Sequence, residues 1–418
     1  MGSETSTMAA VEQGMPGFVP KTHQQAVAHY QALGKRRGMP IPSIEKFALY
    51  SVGKAPPPST RIPVTRTPPG SPVHPVSSTC RSKDAPTVSK YPSLRKDYDI
   101  EGELGASSEG TVYLGRHKTS GEVVALKSLK RKAPSRNIRD LPQDCLLSLD
   151  AIRFHRNILF LSQIDIARNH MIWQCLSFCN AGDLVDYMDR AHDYALAPEA
   201  RLIFVLHVFI QLGEALAFLH YGLTRNASGE WSVHANYPGP ILHNDVKPDN
   251  VMLHFQPGTN DLGMPDIRLG DFGNATWAHK APPCAGTPIY FSPEALNNER
   301  VVKGPKMQMA SDVYTFGLTM YELITGRRWP PGKAVTNMAL PQAYADLGFD
   351  HVLEYCLKLD PRERPTMNRN PVSGLMKCVD HAYTARAAAH ARDGHIACFF
   401  WMNWQNEAME TEKGSITR

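Results

Sequence analysis

Residues 241–253 read ILHNDVKPDNVML. Asp245, Lys247 and Asn250 stand within six positions, between two apolar runs. If Ile241, Leu242, Val251 and Leu253 anchor this stretch in a core, its polar groups lie at the edge of that core. Buried polar groups must find hydrogen-bond or ionic partners. An aspartate, a lysine and an asparagine so close together between apolar runs point to one polar loop anchored by its flanks.

The chain around it has 418 residues, enough for one large or two medium domains. Charge is unevenly placed: residues 1–97 carry 13 Lys/Arg against 5 Asp/Glu, a net of +8, which leaves −3 for the remainder of the +5 total. The same segment holds 14 of the 33 prolines, in runs such as KAPPPST and RTPPGSPVHP. It offers too little sustained apolar pattern to offset its chain entropy, so residues 1–97 are expected to be a basic, mostly disordered extension. Such a segment serves as a docking tail or as a plain solvated spacer. Gly2 with Ser6 also fits the myristoylation pattern MGxxx[ST]. The longest apolar run, LIFVLHVFI at 202–210, is short for a membrane span. Eight cysteines without paired spacing, and no signal-like start, predict an intracellular protein, cytoplasmic or nuclear. Neither nucleic acid nor a membrane is expected as a partner, and the oligomeric state is left open.

From residue 98 the texture changes. YDIEGELGASSEGTVYLGRHKTSGEVVALKSLKR alternates apolar and polar residues between Gly-rich turns, which predicts antiparallel strands. Gly105 and Gly110 bracket a short loop, and Lys127 ends the run VVALK. A glycine loop lets backbone N–H groups close over phosphates, and a lysine on the next strand can pair with them.

Further on, Asp271-Phe272-Gly273 follows Asn250 by 21 residues, and GTPIYFSPEAL, SDVYTFGLTMYELITG and LDPRERPT come after it. In this order and spacing the segments resemble the protein kinases of the serine/threonine type, over about residues 98–380. The resemblance implies an α+β, bilobal protein kinase fold, with a small β-rich N-lobe at 98–176, a larger, mainly α-helical C-lobe at 177–382 and a tail at 383–418. It implies ATP and Mg²⁺ as cofactors and proteins as substrates. Gly105, Ser107, Gly110 and Val112 would cover ATP, Ala125 would lie against adenine, and Lys127 would hold the α- and β-phosphates. Leu176 would be the gatekeeper, with Ser177, Phe178 and Cys179 as the hinge, and Asp183 would reach the ribose. Asp245 would accept or orient the substrate hydroxyl proton, Lys247 would steady the moving phosphate, and Asn250 and Asp271 would hold the metal. Glu294 is expected to pair with Arg364, and Asp312 to hold the loop from beneath. Thr287 would bond to the base and the lysine. Asp183 and Asp249 suggest a preference for basic substrates.

Several positions depart from the family pattern. Asn244 stands where an arginine usually binds an activation-loop phosphate, and NATWAHKAPPCAGTPIYFSP offers only Thr276 as a hydroxyl before Thr287. Activity without activation-loop phosphorylation is the expectation. Ser107 replaces the middle glycine of the loop, and Glu109 sits at its tip. The helical glutamate that should meet Lys127 falls on Leu146, with Asp140, Asp144 and Asp150 as nearby acids and Asp144 preferred. These irregularities keep a second class in view, a pseudokinase acting as a scaffold or allosteric module. Residues 222–240 and 255–267 read as exposed loop insertions. ACFFWMNW is expected to pack on the lobe.

Overall fold

The computed structural model describes residues 87–88, 96–106, 110–133, 141, 145, 147, 152, 155–167, 170–256, 263–282, 284–299, 306–330, 332–335 and 338–412. The N-lobe is built on strands β1 (Thr87–Val88), β2 (Tyr98–Ala106), β3 (Gly110–His117), β4 (Val123–Lys132), β5 (Leu161–Ile166) and β6 (Met171–Ser177). They form one sheet in the order β1-β5-β6-β4-β3-β2, with β1 parallel to β5 and the other pairs antiparallel. The folded region thus begins earlier than the sequence pattern suggests. Two residues of backbone pairing at Thr87–Val88 leave no periodicity to read. The rest of the expected disordered extension, through residue 95, lies outside the described residues.

Strand β4 opens on the apolar run VVAL and is covered on both faces. Val124 and Leu126 pack with Cys175 and Trp173 on one side, and Leu129 joins Leu161, Ile164 and Ile172 on the other. Gly110 is required where β3 pairs with β4, opposite Leu129. A Cβ there would lie 2.1 Å from the Ser128 carbonyl oxygen, closer than any real contact.

The C-lobe follows with helices α1 (Leu184–Asp193) and α2 (Pro198–Tyr221). Helix α2 starts on a proline and ends at Gly222 in the left-handed conformation, a stop signal at each end. Its 24 residues are long and apolar enough to cross a membrane, more than the nine-residue run suggested, but 94% of its most apolar stretch is buried inside the protein. It is the central core helix. Each large apolar side chain it removes from water contributes about 1.5–3 kcal/mol.

Strands β7 (Leu223–Arg225) and β8 (Trp231–Val233) form a hairpin out of the first insertion, which the sequence pattern gives as loop. Short strands β9 (Ile241–Leu242), β10 (Val251–His254), β11 (Asp266–Leu269) and β12 (Thr276–Trp277) pair as β10 with β11 and β12 with β9. Then come α3 (Pro293–Glu299), α4 (Met309–Thr325), α5 (Gln342–Ala345), α6 (Phe349–Cys356), α7 (Met376–Asp393) and α8 (Cys398–Glu412). Helix α7 packs along α2 and pins the hairpin: Asp380 accepts from Trp231 Nε1 at 3.0 Å and pairs with Arg225 at 3.4 Å. The Arg225 guanidinium sits 3.9 Å from the Tyr383 ring centroid. The chain divides into two compact units, and residues 394–403 fall in the one separate from 86–393 and 404–418. Within that stretch, the rings of Phe400 and Trp401 meet edge to face at 4.7 Å.

Glu294 and Arg364 form a buried, two-pronged ion pair, both contacts 2.8 Å. Burial alone would raise the Glu294 carboxyl, but Arg364 and the Ser311 hydroxyl overcome it and hold the group below its ordinary range. Replacing Arg364 by Met strands the carboxylate. Urea unfolding should record a loss of about 3–5 kcal/mol, and a loss near zero would show that the pair is not a tie in this lobe.

Candidate active site

The apolar flanks of the opening stretch become β9 and β10, and the polar residues fall on the loop between them. A 3₁₀ turn over Pro248–Asn250 closes that loop. Asp312, on α4 and fully buried, holds it from beneath. Its Oδ2 accepts from the His243 N–H and its Oδ1 from the Asn244 N–H, each at 2.8 Å, and His220 Nε2 donates to Oδ2 at 3.0 Å. His243 Nε2 donates to the Gly270 carbonyl at 2.9 Å, so the loop is tied to the segment that carries Asp271.

Asp245 and Lys247 converge on Thr287. Asp245 Oδ1 accepts from the Thr287 N–H at 2.9 Å and from its hydroxyl at 2.7 Å. Lys247 Nζ donates to that hydroxyl oxygen at 2.7 Å and lies 3.3 Å from Asp245 Oδ2. Asn250 Nδ2 donates to the Asp245 carbonyl at 2.7 Å. That bond fixes the amide through its nitrogen. Across the cleft, Lys127 Nζ meets Asp271 Oδ1 at 2.6 Å. Asp271 adopts a left-handed backbone, φ 52°, an arrangement that L residues hold only under constraint.

Sheet register brings the sequence-nominated N-lobe residues together. Gly105 pairs with Val112, Val112 with Lys127, Leu114 with Ala125, and Ala125 with Leu176. Directly paired residues share a face, so Gly105, Val112, Ala125, Lys127 and Leu176 line one side of the sheet. Ser177 closes β6, its N–H donating to Phe160 O at 2.9 Å. Among the described residues, the backbone N–H and C=O of Cys179 take no part in the fold's own hydrogen bonds. Burial pushes the Cys179 thiol up to about 12, which leaves it little thiolate for reaction at neutral pH.

Asp183 has a structural duty beside any ligand contact. Its Oδ1 accepts from the Val185 and Asp186 N–H groups and caps α1, while Asp186 returns a bond to the Asp183 N–H. Burial raises its carboxyl to about 6, with the Asp186 and Asp249 carboxylates adding to the rise. Ser107 and Glu109, together with Asp140, Asp144, Leu146 and Asp150, lie outside the described residues.

Mg²⁺ takes oxygen donors, commonly one or two carboxylates completed by phosphate oxygens and water. The Asp271 carboxylate and the Asn250 amide oxygen are oxygen donors of that kind. Among the described residues no group of three or more His, Cys, Asp or Glu could hold a metal.

The family model for "Protein kinase domain" matches residues 98–384. The chain belongs to the protein kinase family. Among curated relatives, serine/threonine-protein kinase Nek1 of Toxoplasma gondii is 27% identical over 276 residues, covering 62% of this chain and 16% of that protein. The G2-specific protein kinase nimA of Emericella nidulans is 26% identical over 315 residues, 67% of this chain and 41% of its own. Serine/threonine-protein kinase ATG1a of Arabidopsis thaliana is 28% identical over 238 residues, 56% and 32% respectively. The chain thus spans less than half the length of each.

Within this kinase domain two residues matter that motif reading passed over. Gly286 has φ +102°, and a Cβ there would lie 2.2 Å from the Asn244 carbonyl oxygen and 3.3 Å from Asp245 Oδ1. Only glycine lets the Thr287 segment lie this close to the loop. Its sequence signal was its place just before Thr287. Asn180, fully buried after the hinge, accepts from the Phe255 N–H at 2.8 Å and donates to its carbonyl at 3.1 Å. Nothing local in the sequence marks it.

Gly286→Ala should therefore displace Thr287 at a cost of about 1–3 kcal/mol; nucleotide turnover and unfolding midpoint measured together would report it, and a variant equal to wild type in both would refute the close approach. For Asp183, the raised carboxyl means that its contribution to stability is full below the ordinary 3.8 and lost as pH rises through about 6. Asp183→Asn keeps a capping oxygen, so its unfolding curve should lack that slope, whereas an identical pH dependence would place the titration elsewhere.

Proposed function

We propose that this chain is a serine/threonine protein kinase that transfers the γ-phosphoryl group of Mg-ATP to protein hydroxyls and needs no phosphate on its activation segment. The observation that carries the reading is the convergence of Asp245 and Lys247 on the Thr287 hydroxyl, with Asn250 locked beside them. Asp245 orients the acceptor hydroxyl and takes its proton. The hydroxyl oxygen bonds to the γ-phosphorus as the bond from phosphorus to the ADP oxygen breaks. Lys247 and Lys127 face the negative charge that spreads over the moving group. Bound Mg²⁺ would neutralise the phosphate oxygens, with Asn250 and Asp271 as its protein ligands. Lys247 two residues after the base, and the GTPIYFSPE segment, favour serine or threonine over tyrosine as acceptor, in keeping with the names of the relatives.

Independence from a switching phosphate rests on Asn244. Its Nδ2 donates to the Asn274 carbonyl at 2.9 Å, joining the catalytic loop to the start of the activation segment with a neutral bond. Further along, Ala278 N–H donates to Pro240 O, and Ala281 packs with Leu242, Phe291, Ala295 and Met307. Apolar burial does the ordering that an arginine–phosphate pair would otherwise do. A cytoplasmic or nuclear setting belongs to the same reading.

The rival reading, a scaffold without catalysis, draws support from the direct contact between Lys127 and Asp271, which engages the phosphate-binding lysine with the metal-binding carboxylate. Transfer of labelled phosphate from Mg-ATP to a generic basic protein separates the two. Wild type should label serine and threonine, Asp245→Asn should lose about 10²–10⁴ in rate, and phosphatase treatment or Thr276→Ala should leave wild-type transfer unchanged. Equal labelling by wild type and Asp245→Asn, or none by either folded protein, would favour the scaffold. Activity lost to phosphatase would sink the unswitched form alone.

A further inference from the structure

From Trp404 onward, helix α8 runs from the C-lobe to the N-lobe. Trp404 is buried, with the Tyr187 ring nearly parallel at 6.3 Å and the Phe255 ring edge-on at 5.7 Å. Arg190 on α1 lies 5.2 Å from its ring centroid and donates to Glu407 Oε2 at 2.8 Å. This end of the helix is thus fastened to the C-lobe.

The other end is Glu412. Its Oε1 accepts from Asn180 Nδ2 at 3.1 Å, at the exit of the hinge. Its backbone carbonyl accepts from Arg116 Nη2 at 2.8 Å. Arg116 stands on β3, in the other lobe, with its guanidinium also forked onto Glu101 of β2. The last carbonyls of a helix have no partner within it and carry partial negative charge. A guanidinium at that position is a favourable cap, and a charge-assisted hydrogen bond of this length tolerates little displacement.

We infer that α8 is a strut joining the two lobes beside the hinge, and that Arg116, Asn180 and Glu412 are positioning residues that limit how far the nucleotide cleft opens. Any swing of β3 away from α1 must break the Arg116 bond or pull Trp404 from its pocket. The effect on nucleotide binding rests on the proposed function; the bridge itself does not.

The test compares full-length wild type with Arg116→Met, Arg116→Lys and Glu101→Gln, and with a chain ended after Met409, which keeps Trp404 and Glu407. Hydrogen exchange of the hinge amides at 177–181 and MgADP affinity by calorimetry are read beside the unfolding midpoint. In Arg116→Met and the shortened chain, hinge exchange should rise and affinity fall, each by about tenfold, the factor matching one lost charge-assisted hydrogen bond. The midpoint should move little. Arg116→Lys keeps a cation at the helix end and should recover most of both, and Glu101→Gln should stay near wild type. Should the shortened chain not fold, Arg116→Met decides alone. Wild-type hinge exchange in Arg116→Met overturns the strut. If wild type binds no MgADP, the nucleotide reading falls instead, and hinge exchange still decides the bridge.

Discussion

Asp312 reaches up from α4 and takes the backbone N–H groups of His243 and Asn244 on its two oxygens. A carboxylate with no exposure to water is costly unless its charge is answered by donors. Here two loop amides and His220 answer it. The arrangement explains how a polar loop sits between apolar strands: the backbone is held from below, and the side chains of Asp245, Lys247 and Asn250 bond among themselves and to Thr287. Were Asp312 apolar, two buried N–H groups would lose their partners, and the loop's geometry would lose its reference point.

The same division of labour holds across the cleft. The β3–β4–β6 register puts Val112, Ala125, Lys127 and Leu176 on one face, while Val124 and Leu126 fill the core behind it. A slip of one residue in β4 would exchange those faces and bury the lysine in the apolar cluster. Gly110 guards the register from the other side, since its missing Cβ lets β3 approach the Ser128 carbonyl. Placement of the lysine is therefore a consequence of packing.

The proposed site residues were legible in the sequence because the order and spacing of their motifs resemble those of one family. Asp245, Lys247 and Asn250 meet on one loop, Asp271 meets Lys127, and Glu294 finds Arg364 seventy residues away. Contacts that depend on shape left no such trace. Gly286 looks like any loop glycine until the Asn244 carbonyl is seen beneath it. Asn180 works by bonding to the backbone of Phe255, and backbone partners leave no residue pattern. The hairpin of β7 and β8 forms from a segment rich in turn residues because α7 offers Asp380 and Tyr383 to hold it. Along helix α2, Gln211, Glu214 and His220 interrupt the apolar run. Each of these has a partner elsewhere in the fold: Gln211 on the Ile267 N–H, Glu214 on Arg156, His220 on Asp312.

The contact between Lys127 and Asp271 brings the two readings of the cleft to one physical question. At 2.6 Å, with the lysine side chain nearly buried, the pair is a strong local attraction. A triphosphate with Mg²⁺ would bring negative charge for the lysine and positive charge for the aspartate. In the proposed function Asn250, already oriented by the Asp245 carbonyl, would supply a metal ligand without rearrangement. Under the proposed function, a cleft whose second ligand stands ready, and whose base and lysine already share one hydroxyl, would be organised for phosphoryl transfer before the nucleotide arrives.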